Sequence, residues 1–170
     1  MEKTRMLNSL IEQTARYFTG DPKRIHHFIK VYALSKTIAE QEGMDGDSLF
    51  TLEAAAIVHD IGIPEAIRKY GDGSGKYQQT EGPPIARELL EKNGFDKAVV
   101  DRVCYLVSRH HTYTDIDGLD YQILVEADFL VNIYEGGTGS DAVDSVRENI
   151  MKTSAGRALF EAMYPPKRDV

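Results

Sequence analysis

The five histidines of the sequence fall in three places: His26-His27, His59 and His110-His111. Each place has the apolar spacing of a helix. His27 shares a face with Val31, Leu34 and Ile38, His59 with Leu52 and Ala56, and His110 with Val99, Val103, Leu106 and Val107, because residues three, four and seven apart are helical neighbours. Asp60 follows His59, and Asp128 shares a face with Leu124 and Val131. A lone buried imidazole is more often a hydrogen-bonded core residue than a ligand. A buried carboxylate is costlier, because unpaired it loses several kcal/mol of solvation. Neither Asp60 nor Asp128 has a Lys or Arg on its own face. A divalent cation would satisfy both acids and the imidazoles together, and imidazole with carboxylate suits Zn, Fe, Mn, Ni or Co. The chemistry expected of such a set is metal-assisted hydrolysis.

The elements that must position these residues are all helical. The spacing predicts a helix over 3–18 with Leu7, Leu10, Ile11, Thr14 and Phe18 along one side. A second follows the cap Asp21 and Pro22 and runs to about Glu42, where Gly43 ends it. A third runs from Asp47-Ser48 to Ile61-Gly62, with Pro64 just beyond. Residues 71–79, rich in glycine, read as a flexible loop that could act as a lid. Further helices are expected over Pro83–Lys92, Asp96–His110, Leu119–Tyr134, Asp141–Lys152 and Ser154–Tyr164, with Gly136-Gly137-Thr138-Gly139 as a break. No heptad persists and no strand alternation is convincing, so the expectation is an all-α, single-domain orthogonal helical bundle over 1–170, with a metal-binding core at about 22–135 and C-terminal helices at 141–164.

Composition narrows the function classes. The 170 residues suit one domain, and 42% hydrophobic with 28% charged residues is ordinary for a soluble chain. No apolar run is long enough for a membrane span, and no signal-peptide pattern opens the chain, so no membrane partner and a cytoplasmic location are expected. A net charge of −7 argues against binding long nucleic acids, which takes a basic face. It leaves room for a small phosphorylated substrate, because a bound metal reverses the local field. Cys104 is the single cysteine, so an internal disulfide and a thiolate zinc cluster are excluded, and it reads as a small core residue.

The order His, His-Asp, Asp on successive helices resembles the HD superfamily of metal-dependent phosphohydrolases. The similar segments are Arg24 to Val31, Ala54 to Gly62, Leu106 to His111 and Leu124 to Asp128. The resemblance implies His27, His59, Asp60 and Asp128 as the primary metal ligands, with His27 preferred to His26 because Val31 follows four residues later. Many members hold a second metal through two more histidines. His110 fits one of these, with His111 the alternative. The other falls at Tyr77 to Gly82, where this chain has no His, and Glu81 is the obvious substitute as ligand or general base. One or two divalent ions (Fe, Mn, Ni, Co, Zn or Mg) are therefore expected, with Asp60 bridging them if there are two. The cyclic dinucleotide phosphodiesterase branch continues its His-His pair with Glu and a Gly-Tyr-Pro segment. Here Thr112-Tyr113-Thr114-Asp115 follows His111, which sets that branch aside.

The function these readings imply is hydrolysis of a nucleotide or other small phosphate ester. Asp60, Glu81 and Arg24 are the candidate catalytic residues, and Arg24, Lys76 and Arg109 the candidate substrate cations. Arg24 lies one turn before His27, Lys76 sits in the expected lid, and Arg109 adjoins His110. A metal-retaining binding or regulatory module is the alternative, and a di-iron oxygenase is a further one. The last helices either complete the core or form a homodimer contact.

Overall fold

The computed structural model describes residues 1–136 and 139–166. Among them are nine helices and no strand: α1 (Glu2–Tyr17), α2 (Pro22–Gln41), α3 (Gly46–Val58), α4 (Ile63–Tyr70), α5 (Gly75–Lys92), α6 (Lys97–Val107), α7 (Leu119–Gly136), α8 (Ser140–Asn149) and α9 (Ser154–Met163). Of the expected break at 136–139, Gly137 and Thr138 lie outside the described residues. Among the described residues no helix is long and apolar enough to cross a membrane.

Helix α3 is the axis of the bundle. Every residue from Phe50 to Val58 is buried, as expected of a helix apolar on all sides. Helices α1, α2, α6 and α7 pack around it. The one acid in that run, Glu53, is satisfied by the Tyr32 hydroxyl at 3.1 Å and by Lys36 at 2.9 Å, both from α2. Helix α2 starts where the sequence marks it: Pro22 occupies the first turn, and the Asp21 side chain accepts from the Arg24 N–H at 3.1 Å. The C-terminal helices are tied to α7 by the buried Glu126. Its carboxylate accepts from the Lys152 and Thr153 backbone N–H groups (2.6 and 2.9 Å), the Thr153 hydroxyl (2.5 Å) and the Gln122 amide (2.8 Å). A buried carboxylate is tolerated when its lone pairs are filled in this way.

The stretch 63–82 departs from the sequence expectation. Residues 63–70 form α4, and α5 begins at Gly75, so only Gly71 to Ser74 remain of the expected lid. Pro83 and Pro84 lie inside α5 rather than at its start. Tertiary contacts outweigh the local glycine and proline signals. Tyr70 and Tyr77 stack with centroids 4.2 Å apart, and the Gln78 amide donates to the Gly73 carbonyl at 2.7 Å. The Glu81 carboxylate accepts from Lys69 at 2.6 Å and from the Tyr70 hydroxyl at 2.9 Å. Gly62 and Gly82 let the chain close up: a Cβ on Gly62 would lie 2.6 Å from the Gln78 oxygen and the Gly82 nitrogen, and one on Gly82 would lie 2.7 Å from Val107 Cγ1. This contact presses α5 against the end of α3, where His59 and Asp60 sit.

Candidate metal centre

Helices α3 and α6 end earlier than the periodicity suggests, at Val58 and Val107. His59-Asp60 and His110-His111 therefore occupy the turns that follow. Adjacent residues on a continuous helix point about 100° apart, and the turn frees both members of each pair to face inward. His27 enters from the middle of α2 and Asp128 from the middle of α7. His27, His59, His110 and Asp128 are buried, while His26 is exposed.

These side chains converge. His27 Nε2 lies 3.2 Å from His59 Nε2, 3.1 Å from Asp128 Oδ1 and 3.4 Å from Asp60 Oδ2. His59 Nε2 lies 3.6 Å from both Asp60 Oδ2 and Asp128 Oδ1. Atoms that share a cation at roughly 2.0–2.2 Å stand roughly 3–3.5 Å apart when adjacent, so the spacing fits one ion. The proton inventory points the same way. His27 Nδ1 is held by Glu135 at 2.8 Å, His59 Nδ1 by the Ala56 carbonyl at 2.8 Å, and His110 Nδ1 by the Val107 carbonyl at 2.9 Å. With Nδ1 donating, each neutral ring turns an Nε2 lone pair inward. Two such lone pairs and two carboxylate oxygens facing one another require a positive charge between them.

Asp60 belongs to two donor groups. Its Oδ2 faces His27 and His59, and its Oδ1 lies 3.4 Å from His110 Nε2, a buried nitrogen with no hydrogen-bond partner. His110, His111 and Asp60 form the second group whose ligand atoms lie within 4.8 Å of one another, beside His27, His59 and Asp60. His111 is half-buried and its Nε2 meets the Gln78 amide oxygen at 3.0 Å. Those residues could hold a second ion.

The electrostatics match this geometry. Burial favours protonation of Asp60, but His59 and His110 overcome it and hold its pKa well below the usual carboxylate range. Burial is likewise outweighed at Asp128, by His27 and His59. The same contacts act in reverse on the imidazoles. Desolvation opposes charge on His59, yet Asp60 and Asp128 raise its pKa to about 9, and His27 is raised by the same acids. His111 is lowered to about 4 by burial and by the neighbouring His110.

The other sequence candidates divide. Arg24 lines a cleft of about 210 Å³ together with His27, Asp60, Lys23, Asn132 and Glu135, and pairs with Asp21 at 3.2 Å. Glu81 does not join either donor group: Lys69 and Tyr70 occupy its carboxylate, hold its pKa low and fasten α4 to α5. The stretch without a histidine contributes Gln78 instead. Lys76 is exposed with its Nζ 5.4 Å over the Tyr77 ring, and Arg109 lies against Tyr105 at 5.6 Å. Neither lines the cleft: Lys76 stands in the first turn of α5, and Arg109 packs over the Tyr105 ring.

Three residues of the site escaped the sequence reading. Glu135 fixes the His27 ring, the Asn132 amide donates to Asp128 Oδ1 at 2.9 Å, and Gln78 meets His111. Asn132 and Glu135 stand four and seven residues after Asp128, so helical spacing places all three on one face of α7 and could have found them. Removing the carboxylate of Glu135 in Glu135→Ala is expected to lower metal affinity by about 10- to 100-fold. Competition against a coloured chelator measures this, and unchanged affinity would show that His27 needs no such support.

The fold and this site define a helical domain of the metal-dependent hydrolase type. The model of the HD domain matches residues 24–151, and the chain belongs to the HD-domain family. A predicted HD superfamily hydrolase from an uncultured Thermotogales bacterium, known as a crystal structure, is similar over 95% of this chain and 84% of its own, with 26% identity and a TM-score of 0.64. No curated protein matches the chain.

Proposed function

We propose that the protein is a metal-dependent phosphohydrolase acting on a small phosphate ester. The observation that carries this reading is the double role of Asp60, whose two oxygens serve two adjoining histidine groups in a cleft whose wall includes Lys23 and Arg24. We assign His27, His59, Asp60 and Asp128 to one ion, and Asp60, His110 and His111 to a second where present. A divalent ion held there supplies Lewis acidity and brings the pKa of water toward about 7. The chain's own groups do the rest. Arg24 and Lys23, on the wall of the cleft, are placed to bind non-bridging phosphoryl oxygens and to stabilise charge that builds on them. Glu135, Ala56 and Val107 hold the Nδ1 edges of three imidazoles, so that each ring already turns Nε2 toward the ion site. Water adds to phosphorus, the P–O bond to the alcohol breaks, and the alcohol leaves with a proton.

The test is elemental analysis of protein purified without chelators, followed by phosphate release from a panel of phosphomonoesters. The expected result is one or two ions per chain and turnover of at least one monoester that chelator removes and metal restores. Metal-replete protein inert on the whole panel would favour a binding module instead.

A further inference from the structure

The cleft does not end at the metal centre. A shelf lined by Lys23, His26, Lys30 and Glu135 adjoins it, sharing Lys23 and Glu135 with the cleft. Lys30 also lines the next depression, a groove of about 470 Å³ between α2, α7 and the end of α9. The groove is apolar, built from Ala33, Leu34, Leu130, Val131, Tyr134 and Tyr164. Its floor is fixed, because the Tyr164 hydroxyl donates to the Leu130 carbonyl at 2.7 Å. Its rim is open: Tyr134 is 75% exposed, with the Lys30 ammonium 5.4 Å from its ring centroid. Among the described residues that line these three depressions, the Lys and Arg side chains are Lys23, Arg24 and Lys30, all toward the metal centre. Lys30 binds Glu135 at 2.6 Å, and Glu135 in turn holds His27 at 2.8 Å.

We propose that cleft, shelf and groove form one substrate channel, and that the substrate is a phosphate monoester whose alcohol carries an unbranched or branched apolar chain. This rests on the phosphohydrolase reading and names its substrate class. The phosphate takes the end with Arg24, Lys23 and the metal ligands, the ester oxygen passes Lys30, and the chain lies along the groove. Dimensions agree: Leu34 is four residues beyond Lys30 on α2, about 6 Å of helical rise, a length for a chain of roughly five carbons. Polarity also agrees, since Lys23, Arg24, Lys30 and the metal ligands stand at one end of the channel and apolar side chains at the other, as an amphiphilic anion requires.

The test uses two series on the metal-loaded protein: methyl, butyl and octyl phosphate for turnover, and the matching alkylphosphonates, which cannot be hydrolysed, for calorimetric binding. Each added methylene is expected to tighten phosphonate binding and raise kcat/KM by up to about fourfold, until the groove is full. Ala33→Glu, at an exposed helical position that tolerates a long side chain, places a carboxylate in the groove and is expected to bring the octyl-to-methyl ratio near one. Tyr134→Ala is expected to reduce that ratio partway. Hydrolysis of short esters with no dependence on chain length would overturn the channel and leave the phosphohydrolase reading standing. Chain-dependent phosphonate binding without any turnover would keep the channel as a ligand site and overturn the enzyme. A wild-type dimer that Ala33→Glu converts to monomer would show that a second copy fills the groove, and would also overturn the proposal.

Discussion

Asp60→Ala is expected to lose bound metal and phosphomonoesterase activity together, with kcat/KM falling at least on the order of 1,000-fold, about 4 kcal/mol of transition-state stabilisation. Asp60 is the residue common to both donor groups. Its Oδ2 stands 3.4 and 3.6 Å from the His27 and His59 nitrogens, and its Oδ1 3.4 Å from His110. Removing it takes one ligand from each of the two groups, and a neighbouring water replaces neither the charge nor the fixed position. Asp60→Asn keeps the shape and removes the charge, so it separates geometry from electrostatics. It is expected to retain the fold and lose most of the metal. Elemental analysis and phosphate release on the same samples read both quantities. Full activity with a normal metal content in either variant would count against the whole assignment.

Metal-free protein is expected to be most stable near pH 6.5, with stability falling on both sides. On the alkaline side the cause is His59, raised to about 9 by Asp60 and Asp128 against the desolvation that opposes it, with His27 raised likewise. A histidine raised above its unfolded value of about 6.5 stabilises fully below that pH, and the contribution is lost as pH climbs through about 9. The scale is a few kcal/mol, since a tenfold change in proton affinity corresponds to about 1.4 kcal/mol. On the acid side the cause is His111, lowered to about 4 by burial and His110. The folded state resists its protonation, so stability is lost as pH falls from 6.5 through 4. Asp60 and Asp128, both depressed, add a further loss below their unfolded values near 4. Metal reverses the alkaline limb. Ligation needs unprotonated imidazole, so affinity grows with pH, and the gap in Tm between loaded and chelated protein should widen from pH 6.5 to 9. Thermal melts with excess chelator or excess metal across pH 4 to 9 test this. Stability of the chelated form that is flat or rising above pH 6.5 would refute the proposed network.

Much of this protein is set by local pattern. The helical character follows from apolar residues at helical spacing. The start of α2 follows from Asp21 and Pro22, because a cap and a fixed φ act within one turn. The burial of α3 follows from its apolar run. Pairing an inward-facing acid with buried imidazoles, as at Asp128, likewise needs only composition and periodicity, since an unpaired charge in a core is too costly to leave without a partner. What tertiary structure alone decided lies where contacts distant in sequence compete with local signals. The α4–α5 arm forms despite four glycines and two prolines between Gly71 and Pro84, because Tyr70 stacks on Tyr77, Lys69 reaches Glu81, and Gly62 meets Gly82. The same packing withdraws Glu81 from the metal and presents Gln78 to His111. The early ends of α3 and α6 turn both members of each pair inward, and no periodicity argument reaches past the last helical turn. The continuity from the metal cleft to the apolar groove depends on α2, α7 and α9 lying side by side. That arrangement is fixed by the burial of faces drawn from three separated segments, which only the folded chain brings together.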